Sequence, residues 1–228
     1  TVLAEARMAS NDDRGFASPV IPGMQLSEVF GVRETKVSMA DEVLMRLTPD
    51  ARELLGEAPD LLKGAYFAES FEPLEGARPR VLAVHGDDTL AIALSESGGG
   101  RAIAAGSFLG MAAHRGSLAP NTSSPTSAFI RGIARMAGVS PRMTVAGDPP
   151  GVEARLLEGD GHAVLVVVNT GSTPQLVQAT VRVDWSAKAR VRDMTTGKSS
   201  ETVVREGRVR VGLELPGRDV RAVVFSPQ

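Results

Sequence analysis

The 228-residue chain contains no cysteine. Disulfides, thiolate metal sites and every cysteine nucleophile are thereby excluded. Aromatic residues are scarce at 4%, with one Trp and one Tyr, so any function that needs a broad stacking surface is disfavoured. Charge of one sign is missing too: 25 basic against 27 acidic residues give a net charge of -2, which supplies no long-range attraction for nucleic acid or an anionic membrane. No apolar run approaches the roughly 18 residues of a spanning helix, and no basic-then-apolar leader is visible at the start. The expectation is a cytoplasmic protein with neither nucleic-acid nor membrane partners.

Three histidines, His85, His114 and His162, stand far apart, and no two have ligand spacing on one element. No metal site and no cofactor is implied. What remains is an ordinary globular composition, 43% hydrophobic and 23% charged, in a length that suits two small domains.

The stretch 96–138 organises the first of these. Ser97-Gly98-Gly99-Gly100 reads as a hairpin turn, because a strand follows it, whereas phosphate-cradling loops lead into a helix. Residues 101–108 are nearly all small or apolar without alternation, as in a strand covered on both faces. After a long loop, Ser124-Pro125 opens a helix with Phe129, Ile130, Ile133 and Met136 on its apolar side and Gly138 at its end.

Ahead of this stretch, residues 2–6 resemble a strand already under way, and earlier strands are expected to lie outside the chain. Short helices are predicted over 24–30, closed by Gly31, and from Thr48-Pro49 through Leu55. A half-exposed strand is predicted over 32–37 and another over 65–71. Strands over 80–84, 89–95 and 101–108 are joined by turns too short for parallel crossovers, so the sheet is expected to be mixed. The first domain, 1–147, thus reads as α/β.

Ala146 to Gly151 forms a proline- and glycine-rich linker. Beyond it, 152–228 holds about seven short strands and no helix, implying a small antiparallel sandwich. Within it Val209, Val211, Leu213 and Leu215 alternate with polar residues.

Few residues suggest chemistry. Gly106-Ser107-Phe108-Leu109-Gly110 lacks the glycine spacing of a nucleophile elbow, and close backbone approach explains its glycines. Asp12-Asp13 and Asp87-Asp88 sit in turns, where aspartate bonds the local backbone. His114 and Arg115, in the loop after the buried strand, are candidate substrate-binding residues because open α/β sheets place ligand groups there. Trp185 is a third candidate, able to stack on a sugar or to plug the core. No catalytic residue is identified.

The order of these pieces resembles a known family. Arg14-Gly15 and Ile21-Pro22-Gly23 through Phe30-Gly31-Val32 resemble a stretch of the trimerisation domain of glycoside hydrolase family 42 β-galactosidases. Residues 99–107 and the helix over 129–139 resemble later elements of that domain. Val164 to Asn169, then Asp193-Met194-Thr195-Thr196-Gly197, resemble the β domain that ends those enzymes. The resemblance implies an amidotransferase-like, flavodoxin-like first domain without its front strands, followed by the β domain at 152–228. It also implies a catalytic barrel, with its glutamates and galactoside ligand, outside this chain. The expected partners are that barrel and further copies of the chain, as a homotrimer or another homo-oligomer. A carbohydrate-binding module using Trp185 and Phe225, or an independent hydrolase using Ser107 or His114, are the alternatives.

Overall fold

The computed structural model describes residues 1–56, 59–117, 124–147, 149–185 and 188–228, with the backbone alone at 116 and 117. Two compact units divide it, Thr1–Val139 and Ser140–Gln228. Among the described residues no helix is long and apolar enough to cross a membrane.

The first unit contains β1 (Val2–Ala4), α1 (Leu26–Phe30), β2 (Val32–Leu47), α2 (Pro49–Leu55), β3 (Leu61–Pro73), β4 (Arg80–Val84), β5 (Leu90–Ser97), β6 (Gly100–Ala105), α3 (Leu109–Ser117) and α4 (Pro125–Met136). Its six-stranded sheet runs β1-β6-β5-β3-β2-β4, and β4 pairs again with β5. The four strands β5, β3, β2 and β4 therefore close a ring, all of it antiparallel. Among the described residues of this unit, only β1 and β6 run parallel.

This corrects the α/β, flavodoxin-like expectation. The fold is mostly β, 51% strand against 14% helix, with antiparallel sheets and a partial barrel, whereas a doubly wound fold needs parallel strands joined by covering helices. The misreading arose where strands are long and irregular. β2 continues ten residues past Val37, and β3 starts at Leu61, with breaks in their pairing between Glu34 and Lys36 and between Ala40 and Val43. Such bulges bend strands and help a sheet curl toward closure.

Packing follows from the residues. Residues 102–105 of β6 are buried, and Met45, Leu62, Leu82, Ile92 and Ile103 form the core that Phe129 and Ile133 of α4 cover. Thr48 caps α2 by accepting from the Ala51 N–H at 3.3 Å, and its own hydroxyl donates to the Val81 carbonyl at 2.6 Å. Gly31, at φ 66°, ends α1 in the left-handed conformation. The segment expected as a long loop after β6 is instead helical over α3, while residues 121–123 of the polar run Asn121 to Thr126 lie outside the described residues, as does Asp148 of the linker.

The second unit contains β7 (Met143–Val145), β8 (Val152–Gly159), β9 (His162–Asn169), β10 (Gln175–Arg182), β11 (Lys188–Asp193), β12 (Ser199–Val203), β13 (Arg208–Leu215) and β14 (Asp219–Pro227). A three-stranded sheet, β13-β10-β7, and a five-stranded sheet, β12-β11-β14-β9-β8, share one core of inward residues such as Leu165, Val181, Val209 and Phe225. All pairings are antiparallel. Because β7 pairs with β10, the chain has already entered this unit before the Pro149-Pro150-Gly151 turn.

Candidate functional site

A buried polar cluster in the first unit lies where β1 ends. Chain direction carries Glu5 and Arg7 out of β1, while β2 and β3 bring up Glu34 and Glu69. Glu69 is 2% exposed. Its Oε1 accepts from the Arg7 backbone N–H at 2.7 Å and from Arg7 Nη1 at 3.3 Å, and the same Nη1 donates to Glu34 Oε2 at 2.7 Å. One guanidinium thus ties the loop after β1 to two strands that are 27 and 62 residues away.

Burial dominates the titration of Glu69 and pushes its pKa up to about 7; the Arg7 N–H pulls it down, and the charge and hydrogen bond of Glu34 push it up. His85 is also buried, with Nε2 2.9 Å from the Glu69 carbonyl oxygen. A carbonyl only accepts, so the proton sits on Nε2. Glu5 Oε1 accepts from the Gly110 N–H at 2.6 Å, placing a carboxylate at the positive end of α3.

A cavity of about 10 Å³ lies among Glu5, Met8, Pro22, Glu69 and Phe71. That is room for one water and not for a sugar ring. Glu34 and Glu69 share one arginine, whereas a glycosidase pair stands about 5 Å or more apart across a cleft open to substrate. The cluster is suited to pinning strands and holding a proton.

The residues singled out from sequence fall elsewhere. His114 and Arg115 lie exposed in the last turn of α3. The Arg115 guanidinium is 4.5 Å above the Tyr66 ring, donates from Nη2 to the Tyr66 hydroxyl, and reaches the Asp41 carbonyl at 3.5 Å. Trp185 is in the other unit, packed against its core with the indole N–H enclosed and, among the described residues, without a hydrogen-bond partner. Within the first unit, then, Arg115 meets Tyr66 and Asp41. Phe225 is fully buried. Ser107 is fully buried too, donating to the Ala65 carbonyl at 3.3 Å. Among the described residues no three His, Asp or Glu side chains form a group that could hold a metal.

The Glu69 cluster was missed in the sequence because its members are single residues in different segments. The one visible signal was a lone acid within the otherwise apolar or small run Ala65 to Phe71.

No family model and no curated protein sequence matches the chain. Solved structures do match. A β-galactosidase from Bacillus circulans sp. alkalophilus superposes with a TM-score of 0.66 at 17% identity, over 99% of this chain and 29% of its own. A catalytic mutant of a GH42 β-galactosidase from G. stearothermophilus gives 0.66 at 14%, over 99% and 28%. An α-L-fucosidase isoenzyme from Paenibacillus thiaminolyticus gives 0.61 at 14%, over 100% and 37%. The chain therefore has, along essentially its whole length, the fold of one part of the family 42 β-galactosidases, and it spans under a third of theirs.

Proposed function

We propose that this chain is a non-catalytic scaffold and self-association region of a β-galactosidase-like glycoside hydrolase whose catalytic barrel lies outside it. The observation that carries the reading is the match of 99% of this chain to only 28 to 29% of the galactosidases. Two features agree with it. The buried carboxylate pair is closed to a sugar, and Ser107, the serine nearest to an elbow, is sealed in the core. The region acts by burying surface: one copy packs on another, holding neighbouring barrels so that loops of one subunit wall the galactoside site of the next. Such contacts bury at least about 1,000 Å² in total.

A carbohydrate-binding role is less well supported, because it needs exposed aromatic faces and both Phe225 and Trp185 pack inward. Hydrolysis of an aryl β-galactoside by the 228-residue chain tests the assignment. No turnover above the buffer rate is the expected result, and turnover abolished by Glu69→Gln would overturn it. Retention of the chain on insoluble polysaccharide would favour the binding-module reading instead.

A further inference from the structure

The outer face of the small sheet in the second unit carries a row of arginines. Strands β13, β10 and β7 pair antiparallel, and Arg208 is directly opposite Arg182 in that register. Met143 is opposite Val181, and one residue back the Arg182 N–H donates to the Arg142 carbonyl at 2.7 Å, so Arg142 continues the row. Opposed residues share a face, and successive residues alternate between faces. Val181 and Val209 are buried in the core and Met143 packs against it, so the three arginines lie on the side away from it. Adjacent strands stand about 4.8 Å apart, which sets the row along about 10 Å of sheet. The next row on the same face is Thr144, Thr180 and Arg210.

Like charges directly opposite one another destabilise a sheet, so such a row persists only against a cost. Arg142 is compensated. Its Nη1 and Nη2 donate to the two carboxylate oxygens of Asp184 at 2.9 and 2.7 Å, and its Nε donates to Glu158 at 2.9 Å. The other three are not: among the described residues no ion pair or side-chain hydrogen bond involves Arg182, Arg208 or Arg210, and all three are exposed. Glu214, the acid that β13 adds to this face, is opposite Leu176, at the far end of the sheet. Three positive charges thus stand together on one small face without counter-charge beside them.

The chemistry of the face selects the occupant. A protein partner needs an apolar centre, and apart from Leu176 at its far end the outward positions of β10 and β13 are polar or glycine. A nucleic acid strand stacks its bases on aromatic rings, and these strands present none. The end of the row shows what it can hold: Arg142 grips a carboxylate with both terminal nitrogens, the planar match that a guanidinium makes best. Beside the free arginines stand neutral groups that pair with sugar hydroxyls, the side chains of Thr144, Thr180 and Gln178. Gln178 lies across Gly212, where a Cβ would come within 2.9 Å of its Nε2. We infer that the outer face of β13, β10 and β7, centred on Arg182, Arg208 and Arg210, binds a polysaccharide that carries uronate carboxylates. Binding of this kind works through charge and does without the exposed aromatic faces that neutral sugars need. It does not rest on the scaffold reading, which names no residue of this face.

Affinity electrophoresis of the 228-residue chain through gels containing soluble polygalacturonate tests the site. Retardation that fades as salt is added is expected, with none in neutral galactan. Arg182→Gln combined with Arg208→Gln is expected to weaken binding at least about tenfold. Arg190→Gln combined with Arg192→Gln removes the same charge from exposed positions of β11, in the other sheet, and is expected to leave binding unchanged. Arg182→Lys combined with Arg208→Lys keeps the charge without the fork and is expected to weaken binding as well. No retardation of the unaltered chain, or an equal loss in the β11 variant, would overturn the inference. Equal retardation by a sulfated galactan or by single-stranded DNA would overturn the assignment to uronate. Whether the chain self-associates enters none of these outcomes, so the scaffold reading stands or falls separately.

Discussion

Glu69 accepts a 2.7 Å hydrogen bond from the backbone N–H of Arg7, 62 residues away, and this contact fastens the loop after β1 to the third strand of the barrel-like ring. The carboxyl is buried, so its ionisation is coupled to folding. Its pKa is raised from 4.5 to about 7 by burial. A raised folded-state value means that the favourable contribution is complete below the unfolded value, near 4.5, and is lost as pH rises through about 7. The loss amounts to about 3 kcal/mol. Thermal unfolding followed from about pH 5 to pH 8 is expected to show the midpoint of the first unit falling with pH, and Glu69→Gln is expected to flatten that slope while keeping an acceptor for the Arg7 N–H. An unchanged slope in the variant would remove Glu69 as the cause.

Gly106 follows β6 where its backbone presses against β3. A Cβ placed there would come within 2.1 Å of the Glu69 carbonyl oxygen, a backbone atom that cannot swing aside. Gly106→Ala is predicted to destabilise the first unit by about 1 to 3 kcal/mol, read from the midpoint of urea unfolding. Gly98→Ala has no neighbour within 4 Å, so any effect of that change comes from its φ of 56° alone.

Asn169 ends β9 fully buried. Its Nδ2 donates to the carbonyls of Thr173 at 2.8 Å and Pro216 at 3.0 Å, and its Oδ1 accepts from the Gly171 N–H at 3.0 Å. Removing the amide leaves two carbonyls and one N–H without that partner. Asn169→Ala is predicted to cost about 2 to 4 kcal/mol in the second unit, visible in calorimetry as an earlier transition of that unit while the first is unmoved.

How much of this was legible depends on how local the cause is. α4 could be read from Ser124-Pro125 and Gly138 because its start, apolar stripe and end lie within one short segment. The seven strands β8 to β14 were readable for the same reason: β13 alternates on its own and β9 is a short apolar run between turns, whereas the three-residue β7 was not read. α3 was not. Leu109–Ser117 carries two glycines and few large apolar residues, and the carboxylate at its N-terminus arrives from Glu5, 105 residues away. The ring closure was hidden likewise, since it depends on Arg46 and Leu47 meeting Val84 and Ala83 across distant chain. β3 was blurred by Gly64, which leaves room for the Ser107 hydroxyl, and by the left-handed Tyr66. The Arg7, Glu34 and Glu69 cluster combined all of these obstacles: three separate segments, no repeated spacing and only a single acid out of place.

Sedimentation velocity of the unaltered 228-residue chain over a range of about 1 to 200 μM tests the central claim most directly. The scaffold account predicts a concentration-dependent shift from 23.9 kDa to a species of at least twice that mass. A single 23.9 kDa species throughout would contradict it.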